Sequence, residues 1–167
     1  LYWYLHTLMW GRYAGSVESN LNQDLQALRE EGLDGLIDRL RIWRGELAVR
    51  PEDFSGWSVG ARFYPILYML TRIHGARDLG TGDALSAHML GKMSSLEVHH
   101  IHPKKLLYAQ GYSKSQVNAV ANFCFLSKGS NLTISARNPE EYLAEVEQRH
   151  PGALASQWIP TDPSLWR

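Results

Sequence analysis

The chain predicts a mixed α+β fold, mostly helical, in which a small strand–strand–helix unit is set into a helical support. Three observations lead there. Upstream, apolar side chains recur at helical spacing: Leu21, Leu25 and Leu28 share one face, and Leu33, Leu36, Ile37, Leu40 and Trp43 form a second stripe. Further along, Leu96 to His99 and Phe123 to Ser127 are short runs of strand length. Finally, Asn138-Pro139-Glu140-Glu141 opens a helix, with an N-cap, proline at the first helical position and a glutamate three residues after the cap.

Taken in order, the opening LYWYLHTLMW is apolar, yet it has no basic leader or small-residue cleavage site and is interrupted by His6. It reads as a core helix rather than a signal or membrane segment. Arg39, Arg41 and Arg44 form the solvated side of the second stripe, and Pro51 and Gly56 to Gly60 mark a connection. Phe63 to Ile73 is apolar almost all round and too short to span a bilayer, with Pro65 where a first helical turn tolerates it, so it predicts a central buried helix. Gly75 to Gly82 reads as a loop, Ala84 to Leu90 as a short helix, Lys104 to Ala109 as a helical turn, and a helix from about Ser130 carries Asn131. His6, His74, His88 and His150 read as packing or surface residues, and the tail's Trp158 and Trp166 as packing back on the helical support. The organisation is a helical support over 1–90, a compact unit over 91–150 and a C-terminal tail over 151–167.

A chain of 167 residues with 44% hydrophobic content can bury one substantial core. A single cysteine excludes an internal disulfide framework and agrees with a reducing cytoplasm. No membrane association is expected. The start, without methionine and inside an apolar periodic segment, reads as a piece of a longer protein whose remainder precedes Leu1.

Chemistry concentrates at Glu97-Val98-His99-His100-Ile101-His102-Pro103. Histidine titrates nearest neutrality and is the commonest metal ligand, so the adjacent His99 and His100 can divide two tasks, holding a cation and removing a proton. A regular strand points neighbours to opposite faces, so both reach one site only if the strand ends there, and Pro103 is a suitable terminator. Charge adds to this. The chain is neutral overall, yet residues 91–137 hold Lys92, Lys104, Lys105, Lys114, Lys128 and Arg137 against the single acid Glu97. A local basic patch beside a histidine pair is the footprint of nucleic-acid binding. The competing reading is structural zinc on His99, His100, His102 and Cys124, against which stand the missing Cys-x-x-Cys pair and the flanking Phe123 and Phe125.

The run Glu97 to Leu107 (EVHHIHPKKLL), Val117 to Asn122 (VNAVAN), Leu126-Ser127-Lys128 with Asn131, and Pro139 to Leu143 (PEEYL) together resemble the HNH (ββα-metal) nuclease domain at the C-terminus of GmrSD-type restriction and phage-defence proteins. The likeness covers roughly residues 90 to 145, and several separated anchors are far more specific than a histidine pair. It implies that His99 is the first metal ligand, His100 the general base, Asn122 the central asparagine bracing the connection between two strands, and Asn131 the second metal ligand. Lys104, Lys105 and Lys128 become the candidate phosphate contacts, while His102 has no assigned role.

Two positions depart from the family pattern: many members have aspartate where this chain has His99, and histidine where it has Asn131. The ligand pair is therefore neutral, and the divalent cation is open between magnesium or manganese and the nickel or zinc that imidazole suits better. The resemblance implies a metal-dependent endonuclease that cleaves or nicks DNA, the effector part of a bacterial restriction or anti-phage protein with an upstream sensor or nucleotide-using domain. The alternative is a non-catalytic nucleic-acid or protein interaction module that kept the HNH fold.

Overall fold

A computed structural model describes residues 1–54, 64–87 and 96–167, with the side chains of residues 64–67 and 70 excepted. The short helix expected at Ala84 to Leu90 is represented there by a 3-10 turn, Leu85–Ala87; the rest of that segment, with His88 and Lys92, lies outside the described residues, as does the Gly56 to Gly60 connection. The chain is α+β and mostly helical, with one two-stranded antiparallel sheet. No described helix is long and apolar enough to cross a membrane. Its described residues divide into two compact units, over residues 1–54 and 64–167. Residues 64–87, grouped by pattern with the N-terminal helices, thus sit in the same unit as the histidine motif.

The first unit contains α1 (Tyr2–Met9) and α2 (Val17–Arg44). Gly32 interrupts α2 with φ 68° and ψ −148°, a conformation open essentially to glycine alone, and this break accounts for two apolar stripes that do not share a register. The core of this unit differs from the predicted one. Leu36 and Leu40 are buried, but Leu21, Leu25, Leu28 and Leu33 are exposed, and α1 buries His6 and Thr7 while Leu1, Tyr2 and Tyr4 face solvent. The interior is instead tied by polar groups. Arg12 and Asp24 are both buried and form a two-pronged ion pair at 2.7 and 2.6 Å, and the Tyr13 hydroxyl donates to the same carboxylate at 2.5 Å. A buried pair with its remaining lone pairs satisfied is stable where a lone buried charge would not be. Hydrophobic periodicity carries no signal for such a pair.

The second unit begins with α3 (Tyr64–Ile73). It is a helix as expected but not buried all round: Thr71 is buried, whereas Met69 and Ile73 face solvent. After a turn closed by an Arg77–Ala84 bridge comes β1 (Leu96–His100), then α4 (Lys104–Ala109), α5 (Lys114–Val117), β2 (Phe123–Ser127), α6 (Lys128–Ile134), α7 (Pro139–Arg149) and α8 (Ala153–Ser156). The two strands pair with Val98 opposite Phe125 and His99 opposite Cys124. The caps follow the sequence: Ser113 and Gln116 make a capping box on α5, the Ser127 hydroxyl caps α6, and the Asn138 side chain caps α7.

One apolar cluster joins Leu79, Ile101, Cys124, Leu126, Ile134, Tyr142, Leu143, Leu154, Ile159 and Trp166, so the tail's last tryptophan is built into the same core as β2 and α7. Trp158 stacks edge-on to His74. The free edge of β2 is covered by a side chain: Gln157, itself buried, accepts from Phe125 N–H at 2.8 Å and donates to the carbonyls of Phe125 and Arg77. An amide thus supplies what a third strand would otherwise supply.

Candidate functional site

The strand β1 stops at His100, and Ile101 N–H turns to the carbonyl of Asn122 at 2.9 Å. With the strand ended there, His99 and His100 line one depression of about 360 Å³ together with Val98, Pro103, Lys104, Lys105 and Asn131. Five of the seven residues singled out in the sequence are therefore on one surface. Lys128, exposed at the start of α6, is not among the residues lining the depression, nor is the buried Asn122.

Asn122 is buried and holds the connection between the strands. Its Oδ1 accepts from His102 N–H at 2.7 Å, and its Nδ2 donates to the carbonyls of His102 and Val117, both at 3.0 Å. The peptide groups on both sides of His102 are thereby clamped, directly after the histidine pair. The His102 ring is partly buried, which holds it neutral at lower pH than usual.

His99 is 4% exposed, and its Nδ1 lies 2.7 Å from Asn131 Oδ1. The carbonyl oxygen of Asn131 can only accept, so Nδ1 carries the hydrogen. The other ring nitrogen, Nε2, is buried without a hydrogen-bond partner. Burial depresses the His99 pKa below the ordinary histidine value, opposed by the Asn131 bond.

His100 packs edge-on against Phe123, and its Nε2 lies 3.3 Å from Asn118 Oδ1. The Asn118 amide is oriented by its Nδ2, which donates to the Lys114 carbonyl at 2.8 Å. Nε2 is therefore the protonated nitrogen, and Nδ1 keeps its lone pair. Burial lowers the His100 pKa, the Asn118 bond raises it, and the charges of Lys104 and His99 lower it further. The balance keeps this imidazole neutral at pH 7, the state a proton acceptor needs.

Two residues with no role in the sequence reading enter here. Asn118 orients His100, and Glu97 accepts from Asn131 Nδ2 through Oε2 at 2.5 Å. The signal for Glu97 was present, since positions i and i+2 of a strand share a face and Glu97 stands two before His99. For Asn118 no spacing rule applies, because it arrives from a separate helix end.

Asp78 sets the position of α6. Its buried carboxylate accepts from Gly80 N–H, Thr81 N–H, Ser127 N–H and the Ser130 hydroxyl, binding the 77–84 turn to the junction of β2 and α6. Desolvation works against its charge, but these bonds prevail and hold its pKa below the usual aspartate value.

Among the described residues, no three His, Cys, Asp or Glu side chains converge on a metal position. Cys124 lies in the apolar cluster, where burial pushes its thiol pKa far up. The donor pair that does converge is His99 with Asn131. Donors 2.7 Å apart are close to the roughly 3 Å between neighbouring ligands of a cation with bonds of about 2.1 Å. To sit on this pair a divalent ion would have to displace the shared hydrogen, which His99 Nε2, buried without a hydrogen-bond partner, could carry. Lys104 and Lys105 are exposed and make no ion pair among the described residues, whereas Arg137 is paired with Glu145 at 2.5 Å and adds little to the basic patch.

No family model matches the sequence, and no solved structure matches it. Over 151 residues the chain is 24% identical to the uncharacterized protein MJ0686 of Methanocaldococcus jannaschii, an alignment that covers 86% of this chain and 24% of that protein. The chain thus spans about a quarter of the length of the curated relative it matches.

Proposed function

We propose that this chain is a metal-dependent HNH endonuclease that nicks or cleaves DNA, acting as the effector part of a longer restriction or anti-phage protein of the cytoplasm. The observation that carries the reading is the 2.7 Å approach of His99, from the end of β1, to Asn131, from the helix after β2, beside a neutral His100. The strand–strand–helix order and the clamp by Asn122 support it, because they are what the resemblance requires of these positions.

A magnesium, manganese, nickel or zinc ion held by His99 and Asn131 would neutralise charge on the scissile phosphate and the departing oxygen. The protein's own part is positioning and proton transfer. His100 Nδ1 removes a proton from the attacking water, while Nε2–H stays committed to Asn118. Lys104 and Lys105 hold phosphates beside the depression, which orients a duplex without reading its sequence. Breaking the bond to the 3′ oxygen leaves a 5′-phosphate and a 3′-hydroxyl.

Supercoiled plasmid incubated with the chain in magnesium, manganese, nickel, zinc or EDTA tests this. Conversion to open circle or linear DNA is expected with a divalent cation and not with EDTA. His100→Ala should abolish conversion while DNA affinity stays within a few-fold. Equal cleavage by the variant would remove His100 from its role, and tight DNA binding with no cleavage in any metal would favour an interaction module that keeps the fold.

A further inference from the structure

Among the described residues Glu97 is a carboxylate in direct contact with a candidate ligand, Asn131, and the proposed chemistry leaves it without a task. It leaves β1 on the same face as His99, and Asn131 from α6 touches both. A carboxylate only accepts hydrogen bonds, so the end of the Asn131 amide that meets Glu97 Oε2 at 2.5 Å is the NH2 end. The opposite end, Oδ1, is then the one presented to His99 at 2.7 Å. Only that oxygen can ligate a hard cation; an amide nitrogen with its hydrogens cannot.

We propose that Glu97 is a positioning residue that selects the ligating end of Asn131. The inference rests on the metal-site reading above and deepens it. Without Glu97 the amide is free to turn over, and in half of its orientations it offers the His99 side a donor where the cation needs an acceptor.

The test is manganese affinity, read by calorimetry on the folded chain, in a double-mutant cycle of Glu97→Ala and Asn131→Ala. Glu97→Ala should weaken binding by about 10- to 100-fold, as loss of a ligand-orienting partner does, and Glu97→Gln, which keeps an acceptor, should recover part of it. In the Asn131→Ala background, Glu97→Ala should cost nothing more. Unchanged affinity in Glu97→Ala, or a full additional loss in the Asn131→Ala background, overturns the proposal. A wild-type chain that binds no manganese overturns the metal-site reading instead, and the role of Glu97 is then decided without metal. In that case the Asn131 side-chain NH2 resonances should be held apart from solvent-like values in the wild type and collapse to them in Glu97→Ala. Identical resonances in the two proteins refute the orientation by Glu97.

Discussion

Asn122 shows how a single amide can replace a length of sheet. Its three hydrogen bonds hold the peptide groups around His102 and the carbonyl of Val117 where no strand partner reaches them. Asn122→Ala removes one acceptor and two donations and leaves the His102 N–H without its partner. At roughly 1 kcal/mol for each of the three bonds plus about 1–3 kcal/mol for the orphaned group, the variant should lose about 4–6 kcal/mol, read as a shift in the urea midpoint. The candidate residues of the site were legible in the sequence: His99, His100, Asn122 and Asn131 all stand in the motif. Asn118 was not, because it arrives from a separate helix end, and Glu97 was legible only as a same-face neighbour of His99, since a motif records positions without recording that Asn131 joins the two.

At the level of elements, α6 matters most, since it carries Asn131. Its placement depends on Asp78, which lies in a turn some fifty residues earlier and binds Ser127 N–H at 2.6 Å and the Ser130 hydroxyl. The packing is close there. A Cβ built on Gly80 would come within 2.8 Å of Ser130 Cβ, so the turn and the helix start admit no side chain between them. Asp78→Ala should cost about 3–5 kcal/mol, because four donors lose a charged acceptor in a buried setting. It should also weaken manganese binding by displacing Asn131. Thermal unfolding checks the first and the titration the second. The limits of β2 and the α7 cap were readable in advance because strand-length runs and capping residues are local signals, whereas β1 runs one residue beyond the expected His99, to His100. The exposure of α1 was not, since composition reports how apolar a helix is and nothing about which of its faces meets a neighbour.

For the molecule as a whole, the three motif histidines link stability to pH. Burial lowers the pKa of His99, His100 and His102 in the folded chain, whereas the unfolded chain takes up protons near the ordinary histidine value of about 6.5. Below that pH the unfolded form therefore binds more protons, and stability falls as pH drops. The contribution is present above about pH 6.5 and is lost progressively as pH falls below it, with His99, the most buried, worth at most about 1.4 kcal/mol per pH unit. Melting temperatures measured from pH 7.5 to 5 should decline. His99→Gln should flatten that decline, and a flat wild-type profile would mean that these rings are hydrated.

What the sequence by itself determined is the α+β class, the longer helices, the two strands and the candidate residues of the site, because helical spacing, strand length, caps and a histidine pair are all written within a few neighbouring positions. The tertiary structure alone decided the rest. It grouped residues 64–87 with the motif, built Trp166 into its core, closed the edge of β2 with Gln157, and brought Asn131 to Glu97 and Asn118 to His100. Each of these joins groups far apart in the chain or through an intermediate side chain. Such contacts are selected by the shape and hydrogen-bonding demand of the folded interior, which no local pattern of residues encodes.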